Sequence, residues 1–266
     1  MKRIHVVGSG PRSGTTLMVE LLVNGFEIDG YPEHEMGIFK RPRGDYGIFL
    51  SKRPRDVETV RPLLAVDPDL WVIYMLRDPR DVVVSRHKGA DGMYYATLHM
   101  WKISHAYARK AANHPRFLTV RFEDLVREPE RIQRRLMTEM PFLKKRAEFA
   151  DFDQVARPSE KSRRALGGVR ALSSSRVGAW RDHKPRLAAQ LELHGPVTDE
   201  LVELGYEKDG SWLLELEGVV PAHYESYWPD RFSLRKRLRR KYGVLRSTAL
   251  YTARVTARRM MAGGGA

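Results

Sequence analysis

A glycine-rich turn near the start of the chain has the residues needed to bind a phosphate or sulfate group. The apolar run 4–7 is followed by Gly8, Gly10 and Gly14, and an apolar-periodic segment begins at Thr15. This order predicts a strand, a tight turn and a helix. Glycines permit positive φ angles, and the unpaired amides at a helix N-terminus attract anions. The sequence therefore predicts an anion-binding loop between the first strand and the first helix.

The loop differs from the Walker A pattern of nucleoside triphosphatases. In that pattern four residues separate the two glycines, and a Lys precedes the Ser or Thr. Here three residues separate Gly10 and Gly14, Thr15 follows directly, and the cation within the loop is Arg12. Hydrolysis of ATP or GTP normally needs the missing Lys on the phosphates and a hydroxyl on magnesium. The sequence therefore disfavours a triphosphatase, while another phosphate-binding loop or a plain tight turn stays open.

A second pair of residues could bind a phosphate at the end of another strand. Arg77 follows the apolar run 71–76, and Ser85 lies eight residues after Arg77. A guanidinium offers a planar fork of donors that suits phosphate oxygens, and a Ser hydroxyl on the first helical turns adds one more donor. The alternative is structural, because Arg77 could instead pair with Asp81 or cap a helix.

The rest of the pattern predicts the elements that must position these residues. Apolar runs at 4–7, 71–76 and 117–122 predict strands, and helical periodicity lies between them. This alternation favours a parallel α/β sheet with right-handed connections. The Gly-, Pro- and charge-rich region 27–55 predicts an irregular lid over the loop, and the poorly periodic region 142–175 predicts a mobile basic loop. Helices are expected over 55–66, from Asp78 and Pro79 to 85, and over 94–112, 129–137, 187–193 and 197–204.

Four segments together resemble the sulfotransferases that use PAPS (3′-phosphoadenosine 5′-phosphosulfate), in particular the tyrosylprotein and carbohydrate sulfotransferases. The sequence PRSGTT at 11–16 resembles their 5′-phosphosulfate loop, and RDPRDVVVS at 77–85 resembles their 3′-phosphate motif. The sequence VRFEDL at 120–125 is similar to their (R)YEDL segment, with Phe122 in place of Tyr. The sequence RVGAWR at 176–181 is similar to a GxWK-like segment near the nucleotide. The order and spacing of the four matches are more specific than any one of them.

This resemblance implies a three-layer fold, with a parallel sheet between flanking helices as in the P-loop nucleoside triphosphatases. It also implies that a sulfuryl group is transferred from PAPS to a hydroxyl acceptor, that PAP is the product, and that no catalytic metal takes part. Positioning and charge stabilisation should dominate such a transfer, as they do in phosphoryl transfer. The residues assigned to the donor are Arg12, Ser13, Gly14, Thr15, Thr16, Arg77, Ser85, Ser175 and Arg176.

Three residues are expected to carry out the transfer itself. Arg12 would neutralise the 5′-phosphosulfate. Lys52, in a Lys-x-Pro segment that resembles one in tyrosylprotein and related sulfotransferases, would stabilise charge on the bridging oxygen. Glu33 lies 22 residues after Pro11, close to where glutamate-using members of the family place the base that takes the acceptor's proton. Burial would raise the pKa of its carboxyl, whereas the two cations would lower it. The alternative bases are Glu35, His34, His87 and His99.

Composition narrows the class of protein. The 266 residues suffice for one or two domains, and a 42% hydrophobic and 30% charged composition indicates a globular chain. Cysteine is absent, so disulfides, a thiol nucleophile and a Cys-ligated metal are excluded. Residues 1–30 lack the apolar core of a signal peptide, and no stretch approaches the length of about 18 apolar residues that a membrane span needs. The expected location is therefore cytoplasmic.

The positive charge is concentrated at the C-terminus. Eleven of the 47 Lys and Arg residues lie in 231–266, which contains no Asp or Glu, so this tail supplies most of the net charge of +14. We expect a catalytic domain over 1–206, an aromatic connecting segment over 207–230 and a basic amphipathic helical tail over 231–266. The tail would either rest on an anionic membrane surface or pack on its own domain.

The acceptor is the least determined part of the expected reaction. Family members with a glutamate base act on sugars or tyrosine, so we expect the acceptor to be a carbohydrate or glycolipid hydroxyl. Two other functions stay open, namely a phosphate-loop kinase that uses ATP and magnesium and a basic protein that binds nucleic acid through its tail. Nucleic acid is the less favoured partner because the excess charge is confined to the tail. The sequence does not indicate an oligomeric state.

Overall fold

A four-stranded parallel sheet forms the centre of the chain. The computed structural model describes residues 1–33, 35–40, 42–87, 90 and 92–263. The strands are β1 (Lys2–Gly8), β2 (Ile48–Lys52), β3 (Leu70–Leu76) and β4 (Phe117–Arg121). Their order is β2-β1-β3-β4, and every neighbouring pair is parallel. The carboxyl ends of the strands therefore meet at one edge of the sheet, where open α/β folds bind their ligands.

Helices cover both faces of this sheet, which confirms the predicted α/β fold. One apolar cluster includes Met18 and Leu136 from two helices on one face, and a second includes Leu63 and Trp101 from helices on the other. The helices are α1 (Thr15–Gly25), α2 (Val60–Val66), α3 (Pro79–Val83), α4 (Leu98–Arg109), α5 (Phe122–Arg127), α6 (Pro129–Glu139), α7 (Phe152–Val155), α8 (Glu160–Leu166), α9 (Lys184–His194), α10 (Thr198–Glu203) and α11 (Leu234–Gly263). Short 3₁₀ turns cover Pro54–Thr59, Ala179–His183 and Gly210–Leu216.

The turn after β3 forms as its sequence predicts. The Asp78 carboxylate accepts a hydrogen bond from the Arg80 amide at 2.8 Å, and Pro79 is the first residue of α3. Proline suits this position because its φ is fixed in the helical range and it has no amide proton to satisfy. Since α3 ends at Val83, Ser85 lies just beyond the helix and not within it.

Two regions that were predicted to be irregular contain regular structure, and the prediction was wrong there. Within the expected lid, residues 48–52 form β2, with Phe49, Leu50 and Ser51 buried. This strand pairs with β1 at the edge of the sheet, so it needs no long apolar run, and the sequence signal is weak. The expected mobile loop contains α7 and α8. No residue of α8 is buried, but the Ser159 hydroxyl accepts a hydrogen bond from the Ser162 amide and so caps the helix.

Two predicted helices have different N-termini in the structure. The segment expected to be helical over 55–66 begins as the 3₁₀ turn Pro54–Thr59 and becomes α-helical at Val60. The helix expected over 94–112 begins at Leu98, where the Thr97 side chain caps it. The Thr97 hydroxyl accepts a hydrogen bond from the Met100 amide at 3.4 Å, and this cap marks a boundary that periodicity does not define.

Residues beyond 206 take part in the packing. The Trp212 ring packs edge-on against Trp180, with ring centroids 6.0 Å apart, in a buried cluster that also contains Leu98. Later in the same segment, the Glu225 carbonyl accepts a hydrogen bond from the Tyr94 amide at 3.0 Å. The connecting segment is therefore attached to the sheet domain by side chains and by backbone hydrogen bonds. No helix in the described part of the chain is long and apolar enough to cross a membrane.

Candidate active site

The loop between β1 and α1 lies at the carboxyl edge of the sheet and has the backbone geometry that its glycines predict. The φ angles of Gly10, Arg12 and Gly14 are 118°, 72° and 93°, and the Ser13 hydroxyl donates to the Gly10 carbonyl at 2.8 Å. Gly14 is the N-cap residue of α1 and offers no side chain to cap it. The first-turn amides of α1 are therefore suited to an anionic ligand.

The loop also packs against the end of β4. A Cβ atom added to Gly14 would lie 2.6 Å from a ring carbon of Phe122, a distance that real Cβ contacts do not reach. Phe122 thus fills the space beside the loop, and glycine is needed at position 14 for this packing as well as for its positive φ. The same ring lies under the Arg77 guanidinium, whose central carbon is 4.3 Å from the ring centroid.

Arg77 connects three parts of the site. Its two terminal nitrogens donate to the carbonyls of Arg12 and Arg176 at 3.1 and 2.9 Å, and its Nε is buried without a hydrogen-bond partner among the described residues. The alternative in which Arg77 pairs with Asp81 does not form. The Asp81 carboxylate instead accepts hydrogen bonds from the amides of Gly178 and Trp180, at 2.9 and 3.0 Å. Arg77 therefore retains donor capacity for a further acceptor.

Cations are crowded around this point. The Arg12 Nε donates to the Ser85 hydroxyl at 2.9 Å, so the two residues that were predicted from separate motifs are in contact. Burial lowers the pKa of Arg12, and the positive charges of Arg77 and Arg176 lower it further. Burial likewise lowers the pKa of Arg77, while the charges of Asp81, Glu123 and Asp78 raise it. Like charges that disfavour each other in this way are relieved by an anion, so the electrostatics favour a phosphate or sulfate here.

Lys52 reaches the same loop from the end of β2. Its ammonium donates to the Thr16 hydroxyl at 2.7 Å and lies 3.9 Å from a carboxylate oxygen of Glu35. Burial lowers the pKa of Lys52, and the negative charge of Glu35 raises it.

Glu33, the predicted base, is exposed. Burial raises the pKa of the Tyr31 hydroxyl, and the negative charge of Glu33 contributes to the same rise. His34, the third predicted base in this segment, lies outside the described residues.

A buried carboxylate near Lys52 was missed by sequence reasoning. Glu20 lies on α1 and is only 3% exposed. Burial raises the pKa of its carboxyl, while a hydrogen bond with Ser162 and the charge of Lys52 lower it. The available signal was its position inside the apolar segment Met18 to Val23, where an acidic residue would face the core. Glu20 and Glu35 both act on the Lys52 ammonium electrostatically.

The two remaining candidate bases lie in different places. The His87 ring stacks on Tyr95 and Tyr227, with centroids 5.2 and 5.0 Å away, and Tyr95 lies 5.7 Å from the Arg12 guanidinium carbon. This aromatic cluster therefore borders the site. The structure does not bring His99 to the loop. Its ring instead stacks on His194, with centroids 5.7 Å apart.

A cleft runs from the loop to the segment that follows α8. Counting the space open to solvent, its volume is about 940 Å³. Ser175 and Arg176 are exposed on its wall, in the region predicted from the RVGAWR sequence. No group of three or more His, Asp or Glu side chains in the described residues could hold a metal ion. The cleft residues that come from predicted motifs are Arg12, Gly14, Thr15, Thr16, Arg77, Phe122, Ser175 and Arg176.

Comparison with known proteins gives a family match over part of the chain. A model described as the sulfotransferase family matches residues 36–140. This span includes Lys52, Arg77 and Ser85, and it leaves out the glycine-rich loop. No curated protein matches the sequence. Among solved structures, the sulfotransferase domain from the curacin biosynthetic pathway is similar over 72% of this chain and 98% of that chain, with 13% identity and a TM-score of 0.37, a likeness too distant to carry an argument.

Proposed function

We propose that the chain is a sulfotransferase, the family whose model matches its segment 36–140, and that it transfers a sulfuryl group from PAPS to a hydroxyl acceptor. One observation carries the choice of donor, namely the convergence of Arg12, Arg77 and Lys52 on the uncapped N-terminus of α1. Those groups suit a ligand with two separate anionic groups, because the cations reach the loop from opposite sides.

The residues of the cleft fit such a donor. The first-turn amides of α1 with Arg12 and Lys52 would hold the 5′-phosphosulfate, and Arg77 with Ser85 would hold the 3′-phosphate. The buried Arg77 Nε, which has no partner among the described residues, supports this assignment. Ser175 and Arg176 would add donors from the opposite wall. When bound, PAPS supplies an activated sulfuryl group whose transfer leaves PAP.

Lys52 is proposed to stabilise the charge that develops on the oxygen leaving with PAP. Its ammonium is positioned by the Thr16 hydroxyl at the start of α1, so it faces the 5′ end of the proposed donor. A fixed cation in a partly buried site stabilises developing charge more strongly than a hydrated one. Arg12 would act on the nonbridging oxygens of the same group.

The acceptor hydroxyl is proposed to lose its proton to a glutamate of the segment 33–35. Glu33 stays the prediction from the motif, whereas the distance of 3.9 Å between Glu35 and Lys52 favours Glu35 in this conformation. Either carboxylate would need to come within hydrogen-bond reach of the acceptor oxygen. His87 is a further candidate in the aromatic cluster that borders Arg12, and His34 stays a candidate from the sequence alone.

The Glu33→Gln and Glu35→Gln variants separate these assignments. The variant that removes the base is expected to lower kcat by about 10²- to 10⁴-fold with PAP affinity unchanged, because an amide cannot accept the proton. The other variant should retain activity near that of the unchanged chain. Single-turnover sulfation and PAP titration provide the two measurements, with Glu139→Gln on α6 as the matched control. Unchanged turnover in both variants would move the base to a histidine.

The acceptor is proposed to be a carbohydrate or glycolipid hydroxyl. The stacked rings of His87, Tyr95 and Tyr227 border Arg12, and Tyr227 is 55% exposed. Exposed ring faces can cover the apolar face of a sugar while hydroxyls at its rim reach polar groups. A panel of sugar and glycolipid acceptors incubated with labelled PAPS would identify the class.

Titration calorimetry with PAP and with magnesium ATP tests the choice of donor. We expect PAP to bind without added metal and more tightly than ATP, since Arg77 and Ser85 would recognise the 3′-phosphate that ATP lacks. Binding of magnesium ATP without binding of PAP would overturn the proposal in favour of a phosphate-loop kinase.

A further inference from the structure

The helix α11 has one face that is fixed to the rest of the chain. The Tyr251 hydroxyl is buried and donates to the Asp67 carboxylate, while the Arg240 guanidinium makes two hydrogen bonds with the Glu58 carboxylate, at 2.8 and 2.7 Å. Val255 packs into the same apolar cluster as Tyr251. These contacts attach α11 to the domain beside α2 and determine which side of the helix faces outward.

The outward side carries an apolar stripe. Leu234, Leu238, Tyr242 and Leu245 follow one another at spacings of four, four and three residues, which places them along one side of a helix. Their exposed fractions are 68%, 57%, 69% and 69%, so the domain does not cover them. Met260 continues the same side near the end of α11 and is 71% exposed. An exposed apolar stripe of this length is typical of a surface that contacts an apolar partner.

Cations border the stripe on both sides. At 100° per residue, Arg235, Arg239 and Arg246 lie along one margin and Lys241 and Arg259 along the other. The helix contains no acidic residue. Within the described residues of α11, Arg240 is the one whose side chain forms an ion pair, and it lies on the fixed face. The charges along the margins are therefore available to an anionic partner.

We propose that the outward face of α11 is a docking surface for an anionic membrane. The apolar stripe would enter the boundary between headgroups and acyl chains, while the bordering Lys and Arg would pair with lipid phosphates. Charge complementarity favours this occupant. A second copy of the chain would bring two strongly basic helices together, and nucleic acid would pair with the cations but leave the leucines in water. This docking surface goes beyond the proposed sulfuryl transfer and does not depend on it.

Flotation of the full chain with lipid vesicles tests the proposal. The vesicles are phosphatidylcholine alone and phosphatidylcholine mixed with phosphatidylglycerol, and binding is expected to the mixed vesicles and to fall at high salt. The variant L234S/L238S/L245S keeps every cation, and its partition onto the mixed vesicles is expected to fall by about tenfold or more because apolar burial is lost. The matched control L213S/L214S/V220S changes three other exposed apolar residues and should bind like the unchanged chain.

Two results would overturn the proposal. The first is failure of the unchanged chain to bind the mixed vesicles, and the second is equal binding by the L234S/L238S/L245S variant, which would make the attraction purely electrostatic and open to nucleic acid. Light scattering without lipid checks for self-association, and a dimer that the same variant abolishes would assign the stripe to a second copy. PAP affinity is measured on the same samples, so loss of vesicle binding with PAP binding intact separates this inference from the proposed function.

Discussion

The Lys52→Ala variant is expected to lose about a hundredfold to a thousandfold in kcat for sulfation, the effect of removing one fixed charge-stabilising group from a transition state. The ammonium lies at the end of β2 and donates to the Thr16 hydroxyl at 2.7 Å. Its contribution would grow as charge builds on the leaving oxygen, so ground-state affinity for PAP should change far less than kcat. Single-turnover rates at saturating PAPS, together with PAP titration, measure the two quantities.

The pH dependence provides a second readout for Lys52. Burial lowers the pKa of its ammonium, so the charged form is lost as the pH rises through this lowered value. In the free chain, kcat/KM should therefore fall on the alkaline side, and Lys52→Arg should move the fall to higher pH because guanidinium stays protonated. Lys144→Ala, at an exposed lysine, is the matched control. A Lys52→Ala variant with normal kcat would rule out the catalytic role.

The Arg77→Ala variant is expected to weaken PAP binding by about 2–3 kcal/mol, which is roughly 30- to 150-fold, because charge-assisted hydrogen bonds to the 3′-phosphate are lost. Affinity for adenosine 5′-phosphosulfate, which has no 3′-phosphate, should change much less. Titration of both ligands gives the ratio of the two losses. The ratio matters because Arg77 also bonds the carbonyls of Arg12 and Arg176, so general loosening of the site would weaken both ligands.

Two further variants separate recognition from structure at this position. Arg77→Lys keeps a charge without the planar fork and should recover only part of the discrimination between the two ligands. Arg134→Ala removes an exposed arginine from α6 and should leave both affinities unchanged. Equal losses for PAP and adenosine 5′-phosphosulfate in Arg77→Ala would contradict 3′-phosphate recognition.

The parts of the fold that were predictable are those with a local signal. The segments that form β1, β3 and β4 are apolar runs. The Asp78-Pro79 pair indicates where α3 begins, because Asp78 caps the helix and Pro79 is its first residue. The edge strand β2 was missed because residues 48–52 carry no long apolar run and are extended through pairing with β1. When two strands that are far apart in sequence pair, the sequence of each strand alone carries little signal of that pairing.

The candidate site likewise contains residues with a local sequence signal and residues whose position depends on packing between distant segments. Arg12, Arg77 and Ser85 were identified from loop and strand-end patterns, and the structure brings Arg12 into contact with Ser85. Glu20 was missed because its burial depends on what packs over α1, including the region of Ser162. The stack of His87 on Tyr227 joins residues 140 positions apart in the numbering, and no short motif could have indicated it.

The crowding of Arg12, Arg77 and Arg176 has a thermodynamic consequence. Burial disfavours the charged forms of Arg12 and Arg77, and the charges of Arg77 and Arg176 add to this cost at Arg12, so the empty site opposes folding. An anionic ligand that neutralises these arginines would offset this cost in the native state alone. Binding of the ligand would therefore raise the free energy of unfolding. The unliganded chain would then be the less stable form, and its resistance to heat would report how much of such a ligand the surroundings contain.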